Sequence, residues 1–265
     1  MQNPPTTAAL KPMSRLAVSS LWLAFCLLAR AEPVPANQLV VARNACGPTA
    51  LLNAFRFGNP AWQRASNALA GDTDKQRISN IIRQRGMQPS SHLVGHPRWS
   101  RKGVNVADLC DIANDMTRGH FLPLVSQEVL FLTPGETQEK LLKRVHQRLA
   151  TSIAKGLPPV ISLRRYAQRG QPAEWVVIDA HFVTLTALPH KLEKGARSFP
   201  ISYIDPWGGK LCQGTISLPE RAILADSAAA SPCLEANFPQ ASVGKKSVRA
   251  GESTALTVAA VLGRW

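Results

Sequence analysis

The pattern of apolar residues changes period once along this chain, at Gly156-Leu157-Pro158-Pro159, and that change constrains the fold more than any other feature. Before it the apolar residues recur at helical spacing. Asp72-Thr73 can cap a helix through Ile78, Ile81 and Ile82 that stops at Gly86, and Asn105 can cap another through Leu109, Ile112 and Met116. A third spans about residues 136–155, with Leu141, Leu142, Val145, Leu149 and Ile153 on one face, and Gly156 ends it. Lys140, Lys143, Arg144 and Arg148 surround that apolar stripe, which reads as a face packed on a core rather than on a membrane surface. After Pro159 the runs become short and β-prone: 159–163, 175–178, 181–188, 199–204, 211–218 and 256–262. Helices followed by strands indicate an α+β fold, with an N-terminal helical lobe packed on an antiparallel β-sheet. Residues 38–41 read as a short strand, and 224–254 as a long surface excursion.

The N-terminus has a separate character. Lys11 and Arg15 precede an apolar stretch over 16–29, and Ala29-Arg30-Ala31 closes it. A basic start, a short apolar centre and a small-x-small end describe a secretory signal peptide over residues 1–31, cleaved near Ala31. The stretch is short for a bilayer span, which argues against an anchor. The expected products are a mature domain over 32–265 and a secreted or periplasmic location. Cys26 would leave with the signal. Cys46, Cys110, Cys212 and Cys233 would remain, in a compartment that permits disulfides. Cys212 and Cys233 flank a loop rich in Ala, Ser and Pro and make the most plausible pair. Cys110 lies on the apolar side of a helix and reads as a buried thiol. There is no CxxC pair and the histidines are scattered, so neither a metal nor another cofactor is expected. His92, His96, His120, His146 and His190 are expected on the surface.

The formal net charge is +14, of which Lys11, Arg15 and Arg30 contribute three. Such a charge draws the chain toward anionic cell-envelope polymers. Nucleic acid is disfavoured as a partner, because no Lys/Arg run is interleaved with aromatics.

Chemistry enters with Asn44-Ala45-Cys46-Gly47-Pro48-Thr49-Ala50-Leu51-Leu52. Pro48 suits a first helical turn, and Gly58 and Pro60 end the helix that follows. The positive end of a helix favours an anion, so a thiol placed there is drawn toward its nucleophilic thiolate form. His181 begins an apolar run, and Asp205 precedes Pro206-Trp207-Gly208-Gly209 at the end of another. A thiol, an imidazole and a carboxylate are the parts of a thiol hydrolase: nucleophile, proton carrier and the group that orients the ring. Asp179, two residues before His181, shares its strand face and is a reserve partner. Trp207 could shield the Asp–His pair from water.

Cys46-Gly47-Pro48, His181-Phe182-Val183 and Asp205-Pro206, in that order, resemble papain-fold cysteine peptidases, and more narrowly the branch that processes bacteriocin leaders at double-glycine sites. The resemblance spans roughly residues 38–218. It implies a papain-like cysteine peptidase fold, a peptide or protein substrate, and a catalytic triad of Cys46, His181 and Asp205 acting through a thioester. It also implies a glutamine about six residues before the cysteine, whose amide completes the oxyanion hole. Val40 stands at that position, which leaves Gln38 and Asn44 as the oxyanion candidates. A non-catalytic peptide-binding module of the same fold, a cell-wall peptide amidase or acyltransferase, and a basic secreted adhesion protein are the alternatives.

Overall fold

In the computed structural model of the chain, residues 33–225 and 230–265 are described; the expected signal peptide over 1–31 and Cys26 lie outside them. The chain enters as an extended segment to Asn37, whose side chain caps a 3-10 turn over Gln38–Val40. This turn replaces the expected strand at 38–41. Helix α1 (Cys46–Arg56) follows, and every residue from Cys46 to Phe55 is buried. Its residues are mostly apolar, and buried Asn53 is bonded to the backbone of Ala36, so the helix can lie inside the molecule. Around it pack α2 (Pro60–Asn67), which Asn59 caps with Pro60 at its first position, and α3 (Asp74–Ile81), which opens with a capping box between Thr73 and Gln76. A π-helical turn over Ile82–Gly86 continues α3 to the glycine expected to stop it.

Two short strands, β1 (Trp99–Ser100) and β2 (Gly103–Val104), form a small hairpin with Arg101 and Lys102 at its tip. Helix α4 (Val106–Thr117) is capped by Asn105, as its sequence predicts. Strand β3 (Ser126–Val129) leads to α5 (Gln138–Ala154). The apolar stripe of α5 is buried against the sheet, while Arg144 and Arg148 bond to Glu128 and Glu136, so its arginines are internally paired and Lys140 and Lys143 stay exposed.

The strands β4 (Val160–Arg169), β5 (Glu174–Ala187), β6 (Ser198–Asp205), β7 (Lys210–Ser217), β8 (Leu234–Asn237) and β9 (Thr254–Gly263) complete the chain. All pairings are antiparallel, in the order β3-β9-β4-β5-β6-β7-β8, and β8 also pairs with β9. The six strands β9-β4-β5-β6-β7-β8 therefore close on themselves as a barrel, which removes the free edges of its sheet. One apolar core lies among α1–α4 and the outer face of β4, β5 and β9, reached by Val160, Phe182 and Leu262. A second fills the barrel and the face of α5. The expected α+β layout, helical lobe against antiparallel sheet, describes the molecule. Among the described residues no helix is long and apolar enough to cross a membrane.

Three further expectations are corrected. Of the segment 224–254 expected as a surface excursion, the part over 233–243 packs inward: Cys233, Leu234, Ala236, Phe238, Ala241 and Val243 are buried, and β8 closes the barrel. His146 is buried on α5, its Nε2 2.9 Å from the Pro189 carbonyl and its ring edge-on to Phe199. Cys212 and Cys233 are separate buried thiols rather than a disulfide. The β7–β8 register, Thr215 opposite Asn237 and Ser217 opposite Glu235, puts them at opposite ends of that ladder. At about 3.3 Å per residue they lie on the order of 20 Å apart, beyond the reach of a disulfide. Cys110 is a buried thiol as expected, donating to the Val125 carbonyl at 3.3 Å, and burial pushes its pKa up to about 11.

Candidate functional site

The two lobes meet where α1 begins. Cys46 is the first residue of α1, and Ala45 before it provides no side-chain cap. The first intrahelical bond is made by the Thr49 amide to the Ala45 carbonyl at 3.0 Å, so the amides of Cys46 and Gly47 precede the helix's own bonding. Gly47 is required for space: a Cβ there would stand 2.5 Å from Cγ1 of Val104. Its absence lets α1 approach the β1–β2 hairpin closely.

His181 lies in the middle of β5. The 175–178 and 181–188 runs form one continuous strand, with a register shift opposite Arg165 and Tyr166 that leaves Ile178 unpaired. From His181 to Leu185 β5 is buried on both faces. Val183 and Leu185 enter the barrel core, and Phe182 packs with α1. Asp205 ends β6, buried to 1% exposure. Its Oδ1 lies 2.7 Å from His181 Nε2 and accepts from the Trp207 amide at 2.8 Å, while Oδ2 accepts from the Ser242 amide at 3.2 Å. The last bond comes from the segment after β8, which the sequence left outside the core.

The thiol of Cys46 lines the same cleft as that imidazole. Burial on its own would lower the His181 pKa, but the hydrogen bond to Asp205, the adjacent Cys46 and the charges of both outweigh it and raise it to about 10. The ring is thus held as imidazolium through neutral pH, between a carboxylate and a sulfur. The three residues singled out in the sequence meet at one place.

The lead-in segment ties the parts together. Asn53 of α1 accepts from the Ala36 amide at 2.7 Å, the Gln38 amide donates to the Pro206 carbonyl at 2.8 Å, and the Gly208 amide donates to Asn37 Oδ1 at 3.1 Å. Gly209 adopts φ +62°, where a Cβ would meet the Pro35 carbonyl at 2.8 Å, so the turn after Asp205 packs directly on this segment.

A cleft of about 520 Å³ opens over Cys46 and His181, lined also by Asn44, Asp179, Trp207 and Ser242 and by Arg43, Arg101 and Lys102. Asp179 shares the cleft with His181 but turns its carboxylate to the amides of Ala180 (2.9 Å) and Gly244 (2.6 Å), so Asp205 is the partner of the ring. Half-buried Trp207 lines the cleft beside the Asp–His pair. Of the oxyanion candidates, Gln38 is fully buried and donates Nε2 to the Arg43 carbonyl; Asn44 lines the cleft and donates Nδ2 to the Ser100 carbonyl at 3.1 Å. Each amide nitrogen carries a second hydrogen beyond that bond. The cationic tip Arg101–Lys102 carried no signal in the sequence, because only the hairpin's contact with Asn44 brings it to the cleft.

No family model, no curated protein and no solved structure matches this chain.

Proposed function

We propose that this protein is an exported cysteine hydrolase of papain-like fold that cleaves peptide amide bonds through Cys46, His181 and Asp205. The observation that carries the reading is the meeting of Asp205, His181 and Cys46, with His181 and Cys46 on the lining of an open cleft and the sulfur at the start of a buried helix. A helical lobe bearing the cysteine and a β-barrel bearing the histidine and aspartate fit that fold. The pattern over residues 1–31 supports export.

The chemistry follows from the array. The resting pair is a sulfur beside an imidazolium, and the sulfur attacks the substrate carbonyl carbon. The oxyanion that forms is met by amides at the start of α1 and by the second amide hydrogen of Asn44 or Gln38. The C–N bond breaks as the imidazolium delivers its proton to the leaving amine. Water then adds to the thioester, giving a proton to the ring; the acid departs and the sulfur again stands beside the imidazolium. Asp205 holds the ring through Nε2, which leaves Nδ1 as the nitrogen that trades protons with sulfur.

A second reading, a peptide-binding module without turnover, draws on the fact that both candidate oxyanion amides are engaged with backbone carbonyls. A transferase or amidase acting on cell-wall peptides would use the same array with a different acceptor, and the basic charge suits such a substrate. The deciding experiment is alkylation by iodoacetamide at slightly acidic pH. Rapid modification of Cys46, lost in Cys46→Ala together with hydrolysis of a peptide library, supports the hydrolase. Rapid modification without hydrolysis supports the binding module, and a Cys46 no faster than a free thiol refutes both catalytic readings.

A further inference from the structure

Charge in the cleft is strongly one-sided. Arg43, Arg101 and Lys102 are exposed along its wall, and among the described residues none of them forms an ion pair. Elsewhere Arg56, Arg98, Arg144, Arg148 and Arg169 each hold a carboxylate. The acid that lines the cleft, Asp179, has both oxygens bonded inward to backbone amides. The cations are also held in place. Trp99 Nε1 donates to the Asn44 carbonyl at 3.1 Å and Asn44 Nδ2 donates to the Ser100 carbonyl, so the hairpin is fastened on both sides to the residue two before Cys46. Gly103, at φ +97°, makes the turn that presents Arg101 and Lys102.

We propose that the site selects a carboxylate-bearing substrate, whose anionic group sits against Arg43, Arg101 and Lys102 beside the carbonyl that Cys46 attacks. This rests on the reading of Cys46 as a nucleophile and adds its substrate class. Guanidinium groups match a carboxylate in a two-bond fork, and a concave wall of one sign concentrates ions of the other. The carboxylate is an Asp or Glu side chain near the cleaved bond or the free end of a peptide.

Iodoacetate and iodoacetamide form the test pair, since they deliver the same carbon electrophile with and without a negative charge. The rate of each at Cys46 is read by peptide mass spectrometry and divided by its rate with N-acetylcysteinamide. The normalised anion-to-neutral ratio is expected to exceed one, and to fall about tenfold in the Arg43→Gln, Arg101→Gln, Lys102→Gln triple variant or in about 1 M NaCl. The His181 imidazolium favours the anion in both proteins, so the fall isolates the three side chains. Arg101→Gln and Lys102→Gln alone should each give part of the fall, which separates a charge effect from a folding defect. A ratio unchanged in the triple variant overturns the proposal while leaving the nucleophile intact. A Cys46 unreactive to both reagents removes the nucleophile, and the proposal with it. Peptides then identify the source. Preference for Glu over Gln in C-terminally amidated peptides assigns the side chain, preference for a free acid over an amide assigns the chain end, and neither preference overturns the substrate class.

Discussion

The Thr184 hydroxyl donates to the Ala50 carbonyl across 2.8 Å, with Thr184 and Ala50 both fully buried. That bond joins the strand of His181 to the helix of Cys46, one turn into α1 and three residues along β5. It fixes the relative height of the two elements, and with it the spacing of sulfur and ring. Thr184→Val keeps the shape and removes the bond. Its expected cost is about 1 kcal/mol, read from the urea midpoint. If the bond sets the spacing, alkylation of Cys46 should slow several-fold in a protein that remains folded; an unchanged rate would mean that packing alone holds the register.

Asp205 has a heavier task, since it receives one ring nitrogen and two backbone amides. Asparagine can keep its oxygen toward the ring and the Trp207 amide, but then its NH₂ faces the Ser242 amide, donor against donor. Asp205→Asn should lose about 1–3 kcal/mol of stability. It should also bring the His181 pKa down from about 10 toward the ordinary imidazole range, because a charge and a hydrogen bond that raise it are gone. An NMR titration of the ring reads the second effect independently of the first. An imidazole that still titrates near 10 would show that Cys46 alone sustains the shift.

The raised His181 pKa carries a sign for stability. The folded ring binds its proton more tightly than the unfolded one, so its contribution is fully present below pH 6.5 and is lost as pH rises through about 10. Within that window stability should fall as pH rises, by no more than about 1.4 kcal/mol per pH unit, one proton's worth. The buried thiols Cys110 and Cys233, pushed up to about 11 and 12 by burial, add losses of the same sign above pH 9. Urea midpoints between pH 6.5 and 8.5 therefore isolate the histidine. His181→Ala should flatten the slope there, and a slope that persists would place the titrating group elsewhere.

What the sequence made legible was local. Thr73 and Asn105 cap helices because a side chain three residues from its target needs no tertiary partner. The start of α1 was readable from Pro48, and His181 and Asp205 were readable as polar residues set beside apolar runs. What depended on distant partners was hidden. Strand β8 is four residues amid Ala, Ser and Pro, and it is a strand because β7 and β9 lie on either side of it. The burial of His146 depends on a carbonyl 43 residues away in sequence. Gln38 turns into a 3-10 segment because Asn37 caps it and its amide meets Pro206. The supposed Cys212–Cys233 pair was inferred from the loop between the cysteines, whereas strand register decides which cysteines can meet.

Gly47 connects the motif to the wall of the cleft. A methyl group there would be 2.5 Å from Val104 Cγ1 and 3.2 Å from Leu109 Cδ1, so either β2 or α4 must move. Gly47→Ala should cost about 1–3 kcal/mol, the usual range for overpacking a tight core. The expected direction of relief is outward at β2, since the hairpin is two-stranded and half-buried whereas Leu109 is fully buried on α4. That movement would carry Arg101 and Lys102 away from Cys46 and reduce the iodoacetate-to-iodoacetamide ratio. Val104→Ala in the same chain removes the clashing methyl, so the double variant should recover both the ratio and most of the melting temperature. Recovery of stability without the ratio would show that the glycine serves packing only, with no bearing on how the cationic tip meets the cleft.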